Sequence, residues 1–197
     1  MDLDDYAARG YPDLRRAMII TVHRPWSWTH PLDSALARQI RRYQTDIIRR
    51  QIPGAPEATE HHAMIYAGGG WCWSQDNEFE LVHLRAYRGC VLTFWDADWS
   101  QEVRNSLVAE CAPHNGASYG YRDLGAIYAW AATGRESWLE ALEDRQRWIC
   151  SESVCTLVSV FADPRISAGQ DCVKRVPQVL ANWMLGIGYL PLALKIA

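Results

Sequence analysis

Three consecutive glycines, residues 68–70, join two segments rich in aromatic and aliphatic side chains, HAMIYAG at 62–68 and WCWSQ at 71–75. Glycine adopts positive φ angles at no steric cost, so a glycine run between two strand-like segments is typical of a tight turn. A phosphate-binding loop is disfavoured, because no Lys followed by Ser or Thr comes after the glycines. The sequence therefore predicts an antiparallel hairpin, and the fold must contain a β-sheet.

The pairing across this turn decides which polar side chain stands opposite His62. If residues 67–70 form a four-residue turn, the partner of His62 is Gln75. A change of one residue in the register exchanges Gln75 for Ser74 or Asp76. An oxygen acceptor at this position can accept the second N–H of the imidazole and so fix its tautomer.

Hydrophobic periodicity divides the rest of the chain into further strands and helices. The clearest helix is amphipathic and covers residues 33–50, with an apolar stripe formed by Leu36, Ile40, Tyr43, Ile47 and Ile48. Strands are predicted over 17–22, 79–84 and 90–96, and helices over 100–112, 121–133, 137–146 and 148–163. A small antiparallel sheet followed by several helices indicates the α+β class.

The length of 197 residues favours one domain over residues 1–197, with about 70% of its extended surface buried. Residues 1–13 and 186–197 are predicted to be peripheral. The acidic start of the chain lacks the apolar run of a secretory signal, which predicts a cytoplasmic or virion-associated protein. The last 19 residues are apolar, but Pro191 and Lys195 interrupt them, so a packed helix or strand is favoured over a membrane span.

Charge and cysteine spacing argue against several classes of protein. The chain has 20 basic and 23 acidic residues, and this balance disfavours a general nucleic-acid binder. Its six cysteines contain no CxxC pair, so a zinc ribbon or thioredoxin motif is excluded and buried, reduced thiols are expected. The set of His61, His62, Cys72 and His83 matches no common zinc spacing, and no metal or other cofactor is predicted.

Cys150 lies where a helical pattern of apolar residues begins, in the sequence RWICSESV. The first N–H groups of a helix have no partner within it, and they carry the positive end of the helix dipole. They can therefore stabilise a thiolate, and also the oxyanion that forms when a carbonyl group is attacked. A cysteine in an apolar helix is more often a core residue, so Cys150 needs a second group to become a candidate nucleophile.

His62 is the candidate for that second group, because it begins the strand that leads into the glycine turn. A histidine at a strand end can act as a base at the edge of a sheet. His61 is the alternative, although it would point to the opposite face of the strand. With Gln75 as the residue that orients the imidazole, the sequence predicts a triad of Cys150, His62 and Gln75, and Ser74 is the alternative to Gln75.

The order of these segments resembles the circularly permuted papain-like family related to NlpC cell-wall peptidases, in which the histidine strand precedes the cysteine helix. The segments that carry the resemblance span about residues 14–185 and are AMIITVHRPWSWTHPLDSALARQIRRY, HHAMIYAGGG, YGYRDLGAIYAW, RWICSESV and RVPQVLAN. The third position of this family is often Glu, whereas here the match falls on Ser74 with Gln75 beside it. Met64 also replaces a usual Gly after the histidine.

The resemblance implies a permuted papain-like fold and a cysteine peptidase or amidase that cleaves an amide or acyl bond. Cell-wall peptides, other amides and lipid-linked acyl groups are the substrates it suggests. One alternative is a structural or interaction protein, such as a phage tail or neck component within a larger assembly. A thioesterase or acyltransferase is a further alternative.

Two groups of side chains are left over from this triad. Trp26, Trp28, Trp71, Trp73 and Trp148 are close in sequence to the proposed residues and are candidate walls of a substrate groove. Arginines crowd the end of helix 33–50, at positions 41, 42, 49 and 50. This cluster is expected to be a solvated face, with an anionic partner or a membrane surface as the alternative.

Overall fold

A computed structural model describes residues 14–25, 31–51, 54–135, 137–140, 148–166 and 176–195. The strands are β1 (Ile19–His23), β2 (His62–Gly68), β3 (Trp71–Gln75), β4 (Phe79–His83), β5 (Val91–Asp96) and β6 (Leu190–Lys195). The helices are α1 (Pro31–Gln51), α2 (Gln101–Cys111), α3 (Tyr121–Thr133), α4 (Ser137–Glu140), α5 (Cys150–Phe161) and α6 (Pro177–Gly186). The α+β class is confirmed.

The described strands form one antiparallel six-stranded sheet in the order β4-β3-β2-β1-β5-β6. Alternate side chains of its central strands enter two different cores, as the period of two requires. Ile19 and Ile65 pack with the buried faces of α2, α5 and α6, whereas Ile20 and Met64 pack against a second cluster that contains Tyr87. The sheet is therefore buried on both sides at its centre.

Helix α5 packs directly on β2 and so carries Cys150 to the sheet. Its apolar stripe is formed by Val154, Leu157 and Val158, which are buried at spacings of three and four residues. Burying each of these side chains contributes about 1.5–3 kcal/mol. The start of this helix is therefore held in place by its own core contacts.

The predicted hairpin of β2 and β3 is confirmed, but its predicted register is wrong by one residue. Met64 pairs with Ser74, and a bulge lies between Tyr66 and Gly68, where the glycines have positive φ angles of 104°, 59° and 84°. Continued to the end of the strand, this register places Asp76 instead of Gln75 across from His62. The physical reason is a shorter turn: Gly68 pairs with Trp71, so the turn holds two residues instead of the predicted four. This alone would move the register by two residues, and the extra residue of the bulge on β2 takes back one of them.

The prediction that residues 186–197 are peripheral is wrong for the part that the structure describes. Residues 190–195 form β6, which pairs along the whole of β5, and Leu194 is buried. Tyr189, just before this strand, is also buried. The expectation of a packed helix or strand near the end of the chain is confirmed, and the structure has both, α6 followed by β6. Residues 1–13 lie outside the described residues.

Candidate active site

Cys150 is the first residue of α5, as the sequence predicts. Ile149 before it is extended, with φ −88° and ψ 161°, and its N–H donates to the carboxylate of Glu152 at 3.3 Å. This contact fixes the entry of the chain into the helix. Cys150 is 5% exposed, so its thiol lies in a nearly water-free position beside the first-turn N–H groups.

His62 and Cys150 line the same cleft, and the thiol of Cys150 lies close enough to contribute to the pKa of His62. Its Nε2 atom lies 2.8 Å from Ser74 Oγ and 3.5 Å from Asp76 Oδ1. Since Nε2 faces Ser74 and Asp76, Nδ1 is the nitrogen left for the thiol. The structure therefore brings Cys150 and His62 together, and it places an acceptor on the far side of the imidazole.

That acceptor is a hydrogen-bonded cluster of three side chains. Asp76 Oδ2 accepts from Ser74 Oγ at 2.9 Å and from Tyr87 Oη at 2.7 Å. Because the only hydroxyl proton of Ser74 is directed at the carboxylate, Ser74 Oγ is free to accept from His62 Nε2–H. The Tyr87 ring also stacks on His62, with centroids 5.9 Å apart. The charge of Asp76 thus reaches the imidazole both directly and through Ser74.

Gln75 lies elsewhere in the site than the predicted triad requires. Its Nε2 donates to the carbonyl oxygen of Ala117 at 3.0 Å, and the residue lines the same cleft as Cys150. The structure shows no hydrogen bond between Gln75 and His62, which instead meets Ser74 and Asp76. The register of the hairpin explains this difference, because it places Asp76 across from His62.

The electrostatics of the cluster favour a charged imidazole. Burial alone would lower the pKa of His62, but the negative charges of Asp76 and Cys150 raise it to about 9. Burial opposes ionisation of Asp76, yet His62 and the hydroxyls of Tyr87 and Ser74 lower the pKa of its carboxyl group. At neutral pH the imidazolium is thus the favoured form of His62.

His61, the alternative base, has the opposite electrostatic environment. Burial, together with the positive charges of His62 and Arg41, lowers its pKa to about 3, and its Nδ1 has no hydrogen-bond partner. His61 is accordingly neutral at ordinary pH. It lines the cleft beside His62.

The cleft in front of Cys150 has a volume of about 490 Å³, and five of the residues that line it are tyrosines. Tyr43 stacks on Tyr128 with centroids 4.1 Å apart, and Tyr119 packs against Tyr121. Burial raises the pKa of Tyr119 and Tyr128, and the charge of Cys150 adds to this, so both stay neutral phenols.

The tryptophans do not form the walls that the sequence predicts. The residues that line the cleft include none of Trp71, Trp73 and Trp148. Trp73 stacks on Phe79, and Trp148 packs edge-on against the same ring, so both belong to the core. Trp26 and Trp28 lie outside the described residues. Sequence reasoning missed the tyrosine walls, because these side chains come from α1, α3 and the segment before α3.

The other described cysteines are in environments that differ from that of Cys150. Cys72, Cys90 and Cys111 are buried free thiols, and burial raises the pKa of Cys111 to about 12. The expectation of a reduced thiol is wrong for Cys155, which forms a disulfide, and Cys172 lies outside the described residues. Among the described residues, no three His, Cys, Asp or Glu side chains are grouped as a metal site requires.

No family model, curated protein or solved structure matches this chain. The resemblance to the permuted papain-like family therefore stays a prediction. None of the helices in the described part of the chain is long and apolar enough to cross a membrane.

Proposed function

We propose that this protein is a cysteine hydrolase of the permuted papain-like type, which cleaves an amide or related acyl bond. The observation that carries the proposal is that Cys150, at the start of α5, lies in the same cleft as His62, whose Nε2 faces Ser74 and Asp76. This is the arrangement of nucleophile, base and orienting group that defines a catalytic triad. In this proposal Asp76 is the third member and acts partly through Ser74.

The first half of the reaction forms an acyl-enzyme. The Cys150 thiolate attacks the carbonyl carbon of the substrate, and the carbonyl π electrons move to the oxygen. First-turn N–H groups of α5 stabilise the resulting oxyanion. When the tetrahedral intermediate collapses, the bond to the leaving amine breaks, and the His62 imidazolium gives that amine its proton.

The second half of the reaction releases the acyl group. Neutral His62 takes a proton from a water molecule that attacks the thioester carbon, which forms a second tetrahedral intermediate. The C–S bond then breaks, and Cys150 leaves as the thiolate beside the imidazolium. Asp76 keeps its charge throughout and stabilises the imidazolium form of His62 in both halves.

Incubation with fluorogenic peptide amides and with thioesters tests the proposal. Cys150→Ala is expected to abolish turnover, and His62→Ala to reduce kcat at least about a thousandfold. Cys90→Ala is the matched control, since it also removes a buried free thiol but lies outside the cleft. Circular dichroism of each variant establishes that the fold is retained.

Trapping of the intermediate separates the proposal from its two alternatives. Hydrolysis predicts an acylated Cys150 by mass spectrometry, which decays in water. If the same adduct is consumed faster by added amines than by water, the protein is an acyltransferase. If Cys150 never becomes acylated, and Cys150→Ala is incorporated into a larger assembly with full biological activity, the protein is a structural component and the hydrolase proposal is wrong.

A further inference from the structure

A second cavity lies along α1 and has a volume of about 510 Å³. We call it the arginine groove, and its lining residues are Arg38, Arg41, Arg42, Thr45, Asp46, Arg49, Glu57 and Ala58. It shares none of these residues with the cleft in front of Cys150. Helix α1 contributes Ala37 and Ile40 to the cleft, whereas Arg38 and Arg41, each the next residue in sequence, line the groove. The helix therefore separates the two cavities.

Four guanidinium groups line this groove against two carboxylates, and two of the four are anchored by neutral acceptors. Arg41 donates to the carbonyl oxygen of Arg24 at 2.6 Å, and Arg49 donates to the carbonyl oxygen of Ala55 at 3.0 Å. A backbone carbonyl orients a guanidinium but does not neutralise it. Burial is the main reason why the pKa of Arg41 is lowered, and the neighbouring charge of Arg38 lowers it further, against the opposite effect of Glu60 and Glu57.

The two carboxylates in the groove do not neutralise its four guanidinium groups. Arg42 is exposed and, among the described residues, makes no ion pair. Asp46 lies one helical turn further on, the spacing at which an arginine and a carboxylate can pair, yet no ion pair joins the two residues. The groove thus keeps a guanidinium group available to an incoming ligand.

We infer that the arginine groove binds a compact ligand that carries one or two phosphate groups. The planar guanidinium fork matches the oxygens of a phosphate, and several forks around one concavity allow more than one charge-assisted hydrogen bond. The two carboxylates in the wall disfavour a long polyanion, because its further charges would meet like charges. This site does not depend on the proposed hydrolase activity, since none of the residues that line the groove also lines the cleft.

Isothermal titration with inorganic pyrophosphate tests this inference on the full chain. Wild-type protein is expected to bind, and Arg42→Ala to weaken binding about tenfold, because one charge-assisted contact is lost. Arg42→Lys keeps the charge but removes the guanidinium fork, so its affinity for pyrophosphate is expected to lie between those of wild type and Arg42→Ala. Arg122→Ala is the matched control, as it removes an exposed arginine on α3 and leaves the groove intact. Binding by Cys150→Ala should equal that of wild type, so this result does not depend on the hydrolase activity.

Vesicles distinguish a soluble phosphate from a lipid headgroup. Phosphatidylcholine vesicles with and without phosphatidic acid are sedimented with wild type, Arg42→Ala and Arg122→Ala. Binding that requires phosphatidic acid and Arg42, together with weak pyrophosphate binding, assigns the groove to a lipid phosphate. The inference is overturned if wild type binds neither probe, or if Arg42→Ala and Arg122→Ala reduce binding equally.

Discussion

Asp76 is the residue on which the proposed mechanism depends most, beyond Cys150 and His62. It lies 3.5 Å from His62 Nε2 and accepts hydrogen bonds from Ser74 and Tyr87. Its charge is a main reason why the pKa of His62 rises to about 9. Removing that charge while keeping the shape of the side chain should therefore weaken the acid–base function selectively.

Asp76→Asn is expected to lower kcat/KM by about 10²–10³-fold, less than a fully buried triad carboxylate would, since Asp76 is half exposed. The substitution should also lower the pKa of His62 below 9, because the favourable negative charge is lost. Activity of the wild type should fall above about pH 9, because His62 then loses the proton that it gives to the leaving group. In the Asp76→Asn variant this fall in activity should begin at a lower pH.

Titration of the His62 ring by NMR measures this change directly, and a pH–rate profile measures its consequence. Glu80→Gln is the matched control, because Glu80 is an exposed carboxylate on β4. An unchanged His62 titration in Asp76→Asn would contradict the role given to Asp76 here.

Glu60 shows a different effect of burial on a carboxyl group. It is 9% exposed, and burial raises its pKa to about 7, although the nearby hydroxyls of Thr21 and Thr59 and the charge of Arg41 act to lower it. The folded state therefore binds a proton more tightly than the unfolded state does. Stability from this residue is fully present below about pH 4.5 and is lost as the pH rises through 7.

Glu60→Gln should consequently be more stable than wild type at pH 8, by up to about 3 kcal/mol, because the buried charge is removed. The difference should vanish near pH 4. Urea unfolding at both pH values measures this, with Glu80→Gln as a control that should change neither value. If the difference in unfolding free energy between Glu60→Gln and wild type were the same at both pH values, this account would be wrong.

At the scale of elements, one buried arginine ties α2 to the end of β5. Arg104 is 1% exposed and bonds the Asp96 carboxylate at 2.8 Å, the carbonyl oxygens of Ala97 and Trp99, and that of Arg16. Arg15 approaches the same Asp96 at 3.6 Å but is mostly exposed. The two arginines thus offer a comparison of a buried and an exposed partner of one carboxylate.

Arg104→Ala is expected to destabilise the protein by about 3–5 kcal/mol, since it leaves several buried acceptors unpaired. Arg15→Ala should cost less than about 1 kcal/mol, because solvent screens an exposed pair. Chemical denaturation of the two variants checks this order. If both substitutions lowered the free energy of unfolding by similar amounts, burial would not be what determines how much these contacts stabilise the protein.

The hairpin shows how much of an element can be predicted from sequence. The glycine hairpin and a helix with Cys150 in its first turn follow from local rules, and both are confirmed, although the helix begins at Cys150 and not at the predicted residue 148. The register does not follow, because it depends on the length of the turn and on the bulge between Tyr66 and Gly68, which three glycines permit but do not specify. The two-residue turn and the bulge together place Asp76 instead of Gln75 across from His62.

At the scale of the whole molecule, β6 completes the sheet from a segment distant in sequence from the other strands. It pairs with β5 and buries Leu194, while Tyr189 before it donates to Asp163 at 3.0 Å. Without β6, the apolar strand β5 would become an exposed sheet edge, which is prone to association.

A chain that ends at Tyr189 is therefore expected to lose cooperative unfolding and to aggregate. Calorimetry and light scattering measure these two outcomes, and a chain that ends at Lys195 is the control, since it keeps β6. A truncated chain with the melting temperature of the full protein would mean that β6 contributes nothing to the core.

The sequence by itself determined the α+β class, the glycine hairpin and the position of Cys150 in the first turn of α5, because these depend on periodicity and on turn and helix-end preferences. Only the tertiary structure decided that Asp76 and Ser74 meet His62, that Tyr87 joins them and that tyrosines wall the cleft. These contacts depend on strand register and on the packing of distant segments. A one-residue bulge changes the register, and only the folded core brings α1, α3 and α5 to the same cavity.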